Sequence, residues 1–147
     1  MKKPSPLTFL LAAIVLSTVL HFLLPLQQLL KFPWRLVSIL PLLTGIALNL
    51  SADQIFKRYN TTVKPFEKSN ALITSGVFRI TRNPMYLGMT LILLGIALLM
   101  GSITPYLVVI AFPILVDHWF ISPEEKLLEN TFGDQFRQYQ RQIRKWI

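Results

Sequence analysis

The sequence contains no cysteine, which excludes disulfide bonds, thiolate metal sites and a cysteine nucleophile but does not fix the redox compartment. Histidine is also rare, because only His21 and His118 occur and they lie far apart along the chain. Two distant histidines make a poor metal site, so we expect no bound metal. We also expect no nucleic-acid partner.

Acidic residues are scarce as well. Seven Asp and Glu stand against fifteen Lys and Arg, which leaves a net charge of +8. At the same time, 52% of the residues are hydrophobic. This combination is unusual for a soluble protein, but it fits a membrane protein whose charges lie in loops.

No charged residue occurs between Met85 and Val116. A single helix over this stretch would be roughly 48 Å long, well beyond a hydrocarbon core of ~30 Å. Near the middle of this stretch, the run Gly101–Pro105 contains turn-forming residues. We therefore predict a hairpin of two helices, Met85–Met100 and Pro105–Ile121.

Two further apolar segments precede this hairpin. Leu7–Leu24 is long enough to span a membrane, and no small-x-small cleavage site follows it, so we expect a retained helix. Leu36–Leu50 is short unless residues 32–34 extend it at the interface. The fold class predicted is an all-α membrane protein with about four transmembrane helices.

We expect a single domain over residues 1–147. Its parts are two N-terminal transmembrane helices (1–50), a cytoplasmic loop (51–84), the transmembrane hairpin (85–121) and a cytoplasmic tail of amphipathic helices (122–147).

Basic residues are distributed unequally around these segments. Thirteen of the fifteen lie in the N-terminus, the long loop and the tail, whereas Lys31 and Arg35 lie on the other side. The positive-inside rule then predicts that both termini and the long loop are cytoplasmic.

The tail has an amphipathic pattern. Apolar residues recur at helical spacing beside a basic stripe, and such a helix suits the anionic inner leaflet. We expect the segment Glu124–Ile147 to dock across the cytoplasmic mouth of the bundle. The apolar positions are Phe136, Tyr139, Ile143 and Trp146, and the basic positions are Arg137, Arg141 and Arg144.

Three stretches predicted to be cytoplasmic stand out, at residues 61–65, 72–88 and 124–139, and selected residues in them and elsewhere in the chain have local structural explanations. Asn83 can cap a helix that Pro84 begins. The other local roles are a positive-inside anchor for Arg82, an aromatic-belt position for Tyr86, helix packing for Gly88 and Gly95, a capping box for Ser122 and Glu125, a helix end at Gly133, interfacial positions for Asp117 and His118, and a place within the bundle for His21.

Taken in order, the stretches resemble the isoprenylcysteine carboxyl methyltransferase and phospholipid methyltransferase group of integral membrane enzymes. The matching segments are Thr61–Pro65, Thr74–Arg79, Arg82–Gly88 (R-N-P-M-Y-L-G), Glu124–Leu128 (E-E-K-L-L) and Phe132–Tyr139. The pairing of R-N-P-x-Y-x-G with E-E across a hairpin is the most specific part of this resemblance.

The resemblance implies that S-adenosylmethionine is the methyl donor. Arg82 would pair with its carboxylate, while Glu125, or else Glu124, would hold its ammonium or a ribose hydroxyl. Tyr86 would face the adenine or the sulfonium, and the hairpin would bring all these residues into one pocket. The donor-binding residues implied are Arg82, Asn83, Pro84, Tyr86, Leu87, Gly88, Glu124 and Glu125.

The methyl acceptor stays open at this point. A prenylated-cysteine carboxylate, a phospholipid amine and other lipid-like acceptors from the bilayer are all compatible with the resemblance. The R-N-P form indicates a bacterial source, and therefore an inner-membrane location. The catalytic residues are not identified, with His118 as the candidate base, and the oligomeric state is open.

Two other functions fit the same pattern. Membrane steroid and sterol reductases have a similar C-terminal architecture and use NADPH, whose 2′-phosphate would require additional clustered arginines. A non-enzymatic membrane scaffold is the other alternative. It predicts that Arg82, Tyr86 and Glu125 do not converge in space.

Overall fold

Six α-helices account for most of the residues that the structure describes. A computed structural model describes residues 5–24, 26–59 and 71–147, so the predicted motif Thr61–Pro65 lies outside the described residues. The helices are α1 (Pro6–Leu23), α2 (Ile39–Arg58), α3 (Pro84–Met100), α4 (Thr104–Val116), α5 (Ser122–Phe132) and α6 (Asp134–Gln142).

The apolar helices form a bundle in which α3 packs against α1, α2 and α4. Within the described part of the chain, three helical stretches are long and apolar enough to cross a membrane: Pro6–Leu23, Trp34–Arg58 and Thr104–Phe132. The fourth apolar helix, α3, has 17 residues and would span roughly 25 Å. The all-helical class is therefore confirmed, while a fourth crossing by α3 stays a prediction.

The second helix is longer than predicted. A 3₁₀ turn over Trp34–Ser38 leads into α2, which continues past Leu50 to Arg58. The added turns contain no helix breaker, Ala52 within them is fully buried, and Lys57 pairs with Asp53 one turn earlier. The segment between α2 and α3 therefore starts after Arg58 rather than at residue 51.

The hairpin's second helix does not stop at Ile121. A π-helical turn over Asp117–Ile121 joins α4 directly to α5, so the predicted capping box at Ser122 is wrong. Because Ser122 lies inside continuous helix, its hydroxyl donates to Asp117 Oδ1 at 3.0 Å and does not cap a helix by accepting from a main-chain N–H. Glu124 and Glu125 are consequently carried on a rigid extension of α4.

One end of the bundle is closed by contacts that α1 and the segment after it make with the turn between α3 and α4. Gly101 ends α3 with a positive φ of 74°, and its carbonyl accepts hydrogen bonds from Leu29 and Leu30. His21 bonds to the hydroxyl of Ser102 at 2.6 Å, in agreement with its predicted place within the bundle. The opposite end, where α1 and α3 begin and α2 and α4 finish, is called the site end below.

Candidate functional site

The start of α3 is fixed by side-chain hydrogen bonds. Pro84 occupies the first turn and Asn83 the cap position, as predicted, but the Asn83 side chain does not cap the helix. Its Nδ2 donates to the Lys145 carbonyl at 3.1 Å. The buried Thr81 hydroxyl donates to the same carbonyl at 3.0 Å and accepts from Asn83 N. The entry to α3 is therefore joined to the C-terminal segment.

Arg82 is the most extensively bonded side chain at the site end. Its Nε and Nη2 both donate to Glu125 Oε1, at 3.0 and 2.8 Å. Its Nη1 donates to the carbonyls of Gln140 and Ile143, at 3.2 and 2.7 Å. Only 11% of the Arg82 side chain and 14% of the Glu125 side chain are exposed. Among the described residues, this leaves one guanidinium hydrogen, on Nη2, without an acceptor.

Glu124 differs from its neighbour Glu125 in its partners. The Tyr86 hydroxyl donates to Glu124 Oε1 at 2.7 Å. Within the described part of the chain, no lysine or arginine lies within ion-pair distance of Glu124. A largely buried carboxylate without a cation is costly unless it takes up a proton or a ligand pairs with it.

These groups surround a cavity of about 140 Å³ at the site end. Its walls are mostly apolar and aromatic, and they come from α1, α2, α3, α5 and the 3₁₀ turn Gly76–Arg79. Phe56 and Phe78 meet edge to face there, with ring centroids 5.5 Å apart. The lining residues are Pro6, Phe56, Phe78, Arg82, Asn83, Pro84, Met85, Tyr86, Met89, Glu124, Glu125 and Leu128.

The structure thus brings Arg82, Tyr86 and Glu125 together, as the motif order predicted. Two of the predicted residues, Leu87 and Gly88, do not line this cavity. Gly88 lies against α2, where a Cβ atom would overlap the Asn49 side chain and the Gly45 carbonyl. In the structure, Gly88 therefore allows α3 to approach α2 closely.

His118 is also absent from the lining of this cavity. It is exposed and faces a second cavity of about 310 Å³, together with Asp117, Ser122 and Trp146. The candidate base predicted from the sequence therefore does not join the residues around Arg82.

The C-terminal segment closes over the site through buried side chains. Phe136 is 1% exposed, and Trp146 packs against the main apolar core. The Tyr139 hydroxyl donates to the Phe78 carbonyl at 2.7 Å, and burial raises the pKa of Tyr139 to about 12, so the phenol remains a donor at neutral pH. Three of the four residues in the predicted apolar stripe thus pack on the protein rather than on lipid.

Several residues of the site had no sequence signal. Gln140 and Ile143 take part through main-chain carbonyls, which any residue type supplies. Lys145 lies 2.9 Å from Asp117 and 3.7 Å from Glu125, although it reads in the sequence as one more basic residue of the tail. The charge pattern alone predicted none of these pairings.

Fold and site together define a helical membrane protein with a polar, partly aromatic cavity at one end of its bundle. The phospholipid methyltransferase family model matches residues 34–135, well over half of the chain. The chain belongs to this family, whose members are membrane methyltransferases.

Two relatives show how far the similarity extends. A Haemophilus influenzae protein, described only as uncharacterized, is 40% identical over 63 residues, which is 43% of this chain and 100% of that protein. The protein-S-isoprenylcysteine O-methyltransferase of Schizosaccharomyces pombe is 30% identical over 79 residues, or 52% of this chain. That alignment covers only 32% of the yeast protein.

Proposed function

We propose that this protein transfers a methyl group from S-adenosylmethionine to a lipid-like acceptor at the membrane. Family membership supports the reaction class, and the cavity at the site end supports the donor. The observation that carries the proposal is Glu124, a carboxylate that lacks a cationic partner among the described residues and faces an aromatic cavity.

The charges lining the cavity match this donor. At neutral pH, S-adenosylmethionine carries one carboxylate, one ammonium and one sulfonium, which gives it a net charge of +1. With Glu124 ionised, the charges of Arg82, Glu124 and Glu125 give the lining one excess negative charge, and Arg82 already pairs with Glu125. A bound cation would therefore neutralise Glu124, which fits the rule that buried charges are paired.

Three groups of residues would hold the donor. Glu124 would take a cationic centre, while Phe56, Phe78 and Tyr86 would provide aromatic walls for the adenine or sulfonium. The donor carboxylate would lie at the first turn of α3, where helix N–H groups lack intrahelical partners and the dipole favours an anion. Arg82 would reach it only through its remaining Nη2 hydrogen, or after Glu125 shifts.

When bound, the donor supplies an activated methyl group on its sulfonium. This chain's residues then need to align the acceptor and exclude water, and such positioning is worth up to about 7–11 kcal/mol in favourable cases. No histidine lines the cavity within the described residues, which suits an acceptor that is already deprotonated when it attacks. A carboxylate acceptor meets this condition at neutral pH, whereas an amine acceptor would first have to lose a proton.

The alternatives are less well supported. NADPH carries several negative charges, and the lining offers one arginine, already paired, beside two carboxylates. The scaffold hypothesis predicted that Arg82, Tyr86 and Glu125 would lie apart, whereas all three line one cavity. We place the protein in a bacterial inner membrane with both termini cytoplasmic, as the basic residues and the R-N-P motif indicate.

Calorimetric titration of the detergent-purified protein tests this proposal, with S-adenosylmethionine and its demethylated product as ligands. We expect both to bind to the wild type. Glu124→Gln should weaken binding of S-adenosylmethionine by roughly 1.5–3 kcal/mol, the scale of a hydrogen bond to a charged group. If Glu124 faces the ammonium, the variant should lose the same affinity for S-adenosylmethionine as for its demethylated product. If Glu124 faces the sulfonium, the loss should be larger for S-adenosylmethionine.

Glu129→Gln is the matched control on the same helix. Glu129 pairs with Arg137 outside the cavity, so this variant should bind the donor like the wild type. The proposal fails if the wild type binds neither ligand, or if folded Glu124→Gln binds both with unchanged affinity.

A further inference from the structure

Lys145 lies just beyond α6, and its main chain holds it beside the start of α3. Its carbonyl accepts hydrogen bonds from Thr81 Oγ1 at 3.0 Å and from Asn83 Nδ2 at 3.1 Å. These bonds do not depend on the lysine side chain. A substitution at residue 145 therefore leaves the anchoring of this segment in place.

The Lys145 side chain bridges two carboxylates. Its Nζ lies 2.9 Å from Asp117 Oδ1 and 3.7 Å from Glu125 Oε2, and 30% of the side chain is exposed. It does not line the cavity that Glu125 lines. Lys145 therefore contacts Glu125 on the side that faces away from the cavity.

Both oxygens of Glu125 consequently face cations. Oε1 accepts from Arg82, and Oε2 faces Lys145. Glu124 adjoins Glu125 in the first turn of α5, so the positive charge of Lys145 also offsets repulsion between the two carboxylates. Loss of that charge would free one oxygen of Glu125 and loosen its hold on Arg82.

Asp117 in turn holds the lysine. It lies on the π-helical turn, where Ser122, five residues later, donates to the same Oδ1 that Lys145 approaches. The four charges therefore alternate in sign along one connected series. The series runs through Arg82, Glu125, Lys145 and Asp117.

We propose that Lys145, held by Asp117, is a positioning residue that fixes Glu125 and, through it, Arg82 in the arrangement that binds the methyl donor. This inference rests on the proposed function. Lys145 acts through Glu125 and does not touch the donor.

Titration of the full-length protein with S-adenosylmethionine tests the inference. Lys145→Met keeps most of the length of the side chain and removes its charge. It should lower the affinity about fivefold, the scale expected for the loss of a partly exposed ion pair. Lys145→Arg should restore most of the affinity. In a Glu125→Gln background, Lys145→Met should cause no further loss, because the lysine acts through Glu125.

Lys126→Met, which removes an exposed lysine on α5, is the control and should bind like the wild type. If Lys145→Met does not fold, Asp117→Asn tests the same link from the other side and should also lower the affinity. Failure of the wild type to bind overturns both proposals. Normal binding by folded Lys145→Met, an equal loss in Lys126→Met, or an undiminished loss in the Glu125→Gln background overturns this inference alone.

Discussion

At the scale of single residues, Arg82 is more than the ligand-binding arginine that the motif predicts. Its guanidinium joins Glu125 on α5 to two carbonyls of the C-terminal segment, and its own N–H donates to the Arg144 carbonyl. Both members of the ion pair are largely buried. Removing one member of such a pair leaves a buried charge without compensation.

Arg82→Ala should therefore reduce the free energy of unfolding by about 3–5 kcal/mol, in addition to weakening donor binding. Chemical denaturation in detergent, followed by circular dichroism, measures the stability. The control is Arg137→Ala. More than half of the Arg137 side chain is exposed, and exposed ion pairs such as those it forms contribute about 0–1 kcal/mol. Equal stabilities for the two variants would contradict the role assigned to Arg82.

At the scale of secondary structure, the contact between α2 and α3 positions the site. Gly45 on α2 and Gly88 on α3 face each other, so the two backbones approach closely. Asn49 is a polar residue within α2, and its Nδ2 donates to the Gly45 carbonyl at 2.9 Å, which satisfies that donor. This packing places Phe56, near the end of α2, at the cavity that the start of α3 also lines.

Gly88→Ala should destabilise the protein by about 1–3 kcal/mol, because a methyl group has no space between the helices. Thermal unfolding in detergent measures this change. Ala47→Val adds carbon atoms at an exposed position of α2 and should unfold close to the wild type. A normal unfolding temperature for Gly88→Ala combined with weaker donor binding would instead support the role in donor approach that the motif implies.

At the scale of the whole molecule, the charges and the site lie together. Arg79, Arg82, Lys126 and Lys145 belong to the site end, whereas Arg35 donates to the Leu30 carbonyl near Gly101 at the other end. The positive-inside rule then predicts that the site end is cytoplasmic. A cytoplasmic site would also give the protein access to a soluble methyl donor.

Topology reporters fused at Gly101 and at the C-terminus should therefore report opposite sides of the membrane. A third fusion, placed after Arg58, should agree with the one at the C-terminus, because α2 finishes at the site end. Identical signals from the fusions at Gly101 and at the C-terminus would contradict the prediction that the chain crosses the membrane once between these two points.

Much of this architecture followed from the sequence by itself. The apolar runs predicted α1 and α3 to within one residue at each end, because helix length and the absence of charge are local properties. The order of the motifs also predicted that Arg82, Tyr86 and Glu125 meet, because a hairpin returns its second helix to the end where the first began. The extension of α2 to Arg58 was missed, since the prediction followed hydropathy and these turns are polar.

Only the tertiary structure decided how the charges pair. In the folded protein, Glu125 pairs with Arg82, Glu124 faces the cavity without a cationic partner among the described residues, and Gly88 packs against α2. The partners of Arg82 and Glu125 include main-chain carbonyls of the C-terminal segment and a lysine on that segment, which lie some sixty residues from Arg82 along the chain. A carbonyl has no residue-specific signature, and a salt bridge depends on distances that only the packed helices define, so neither can be read from the order of residues.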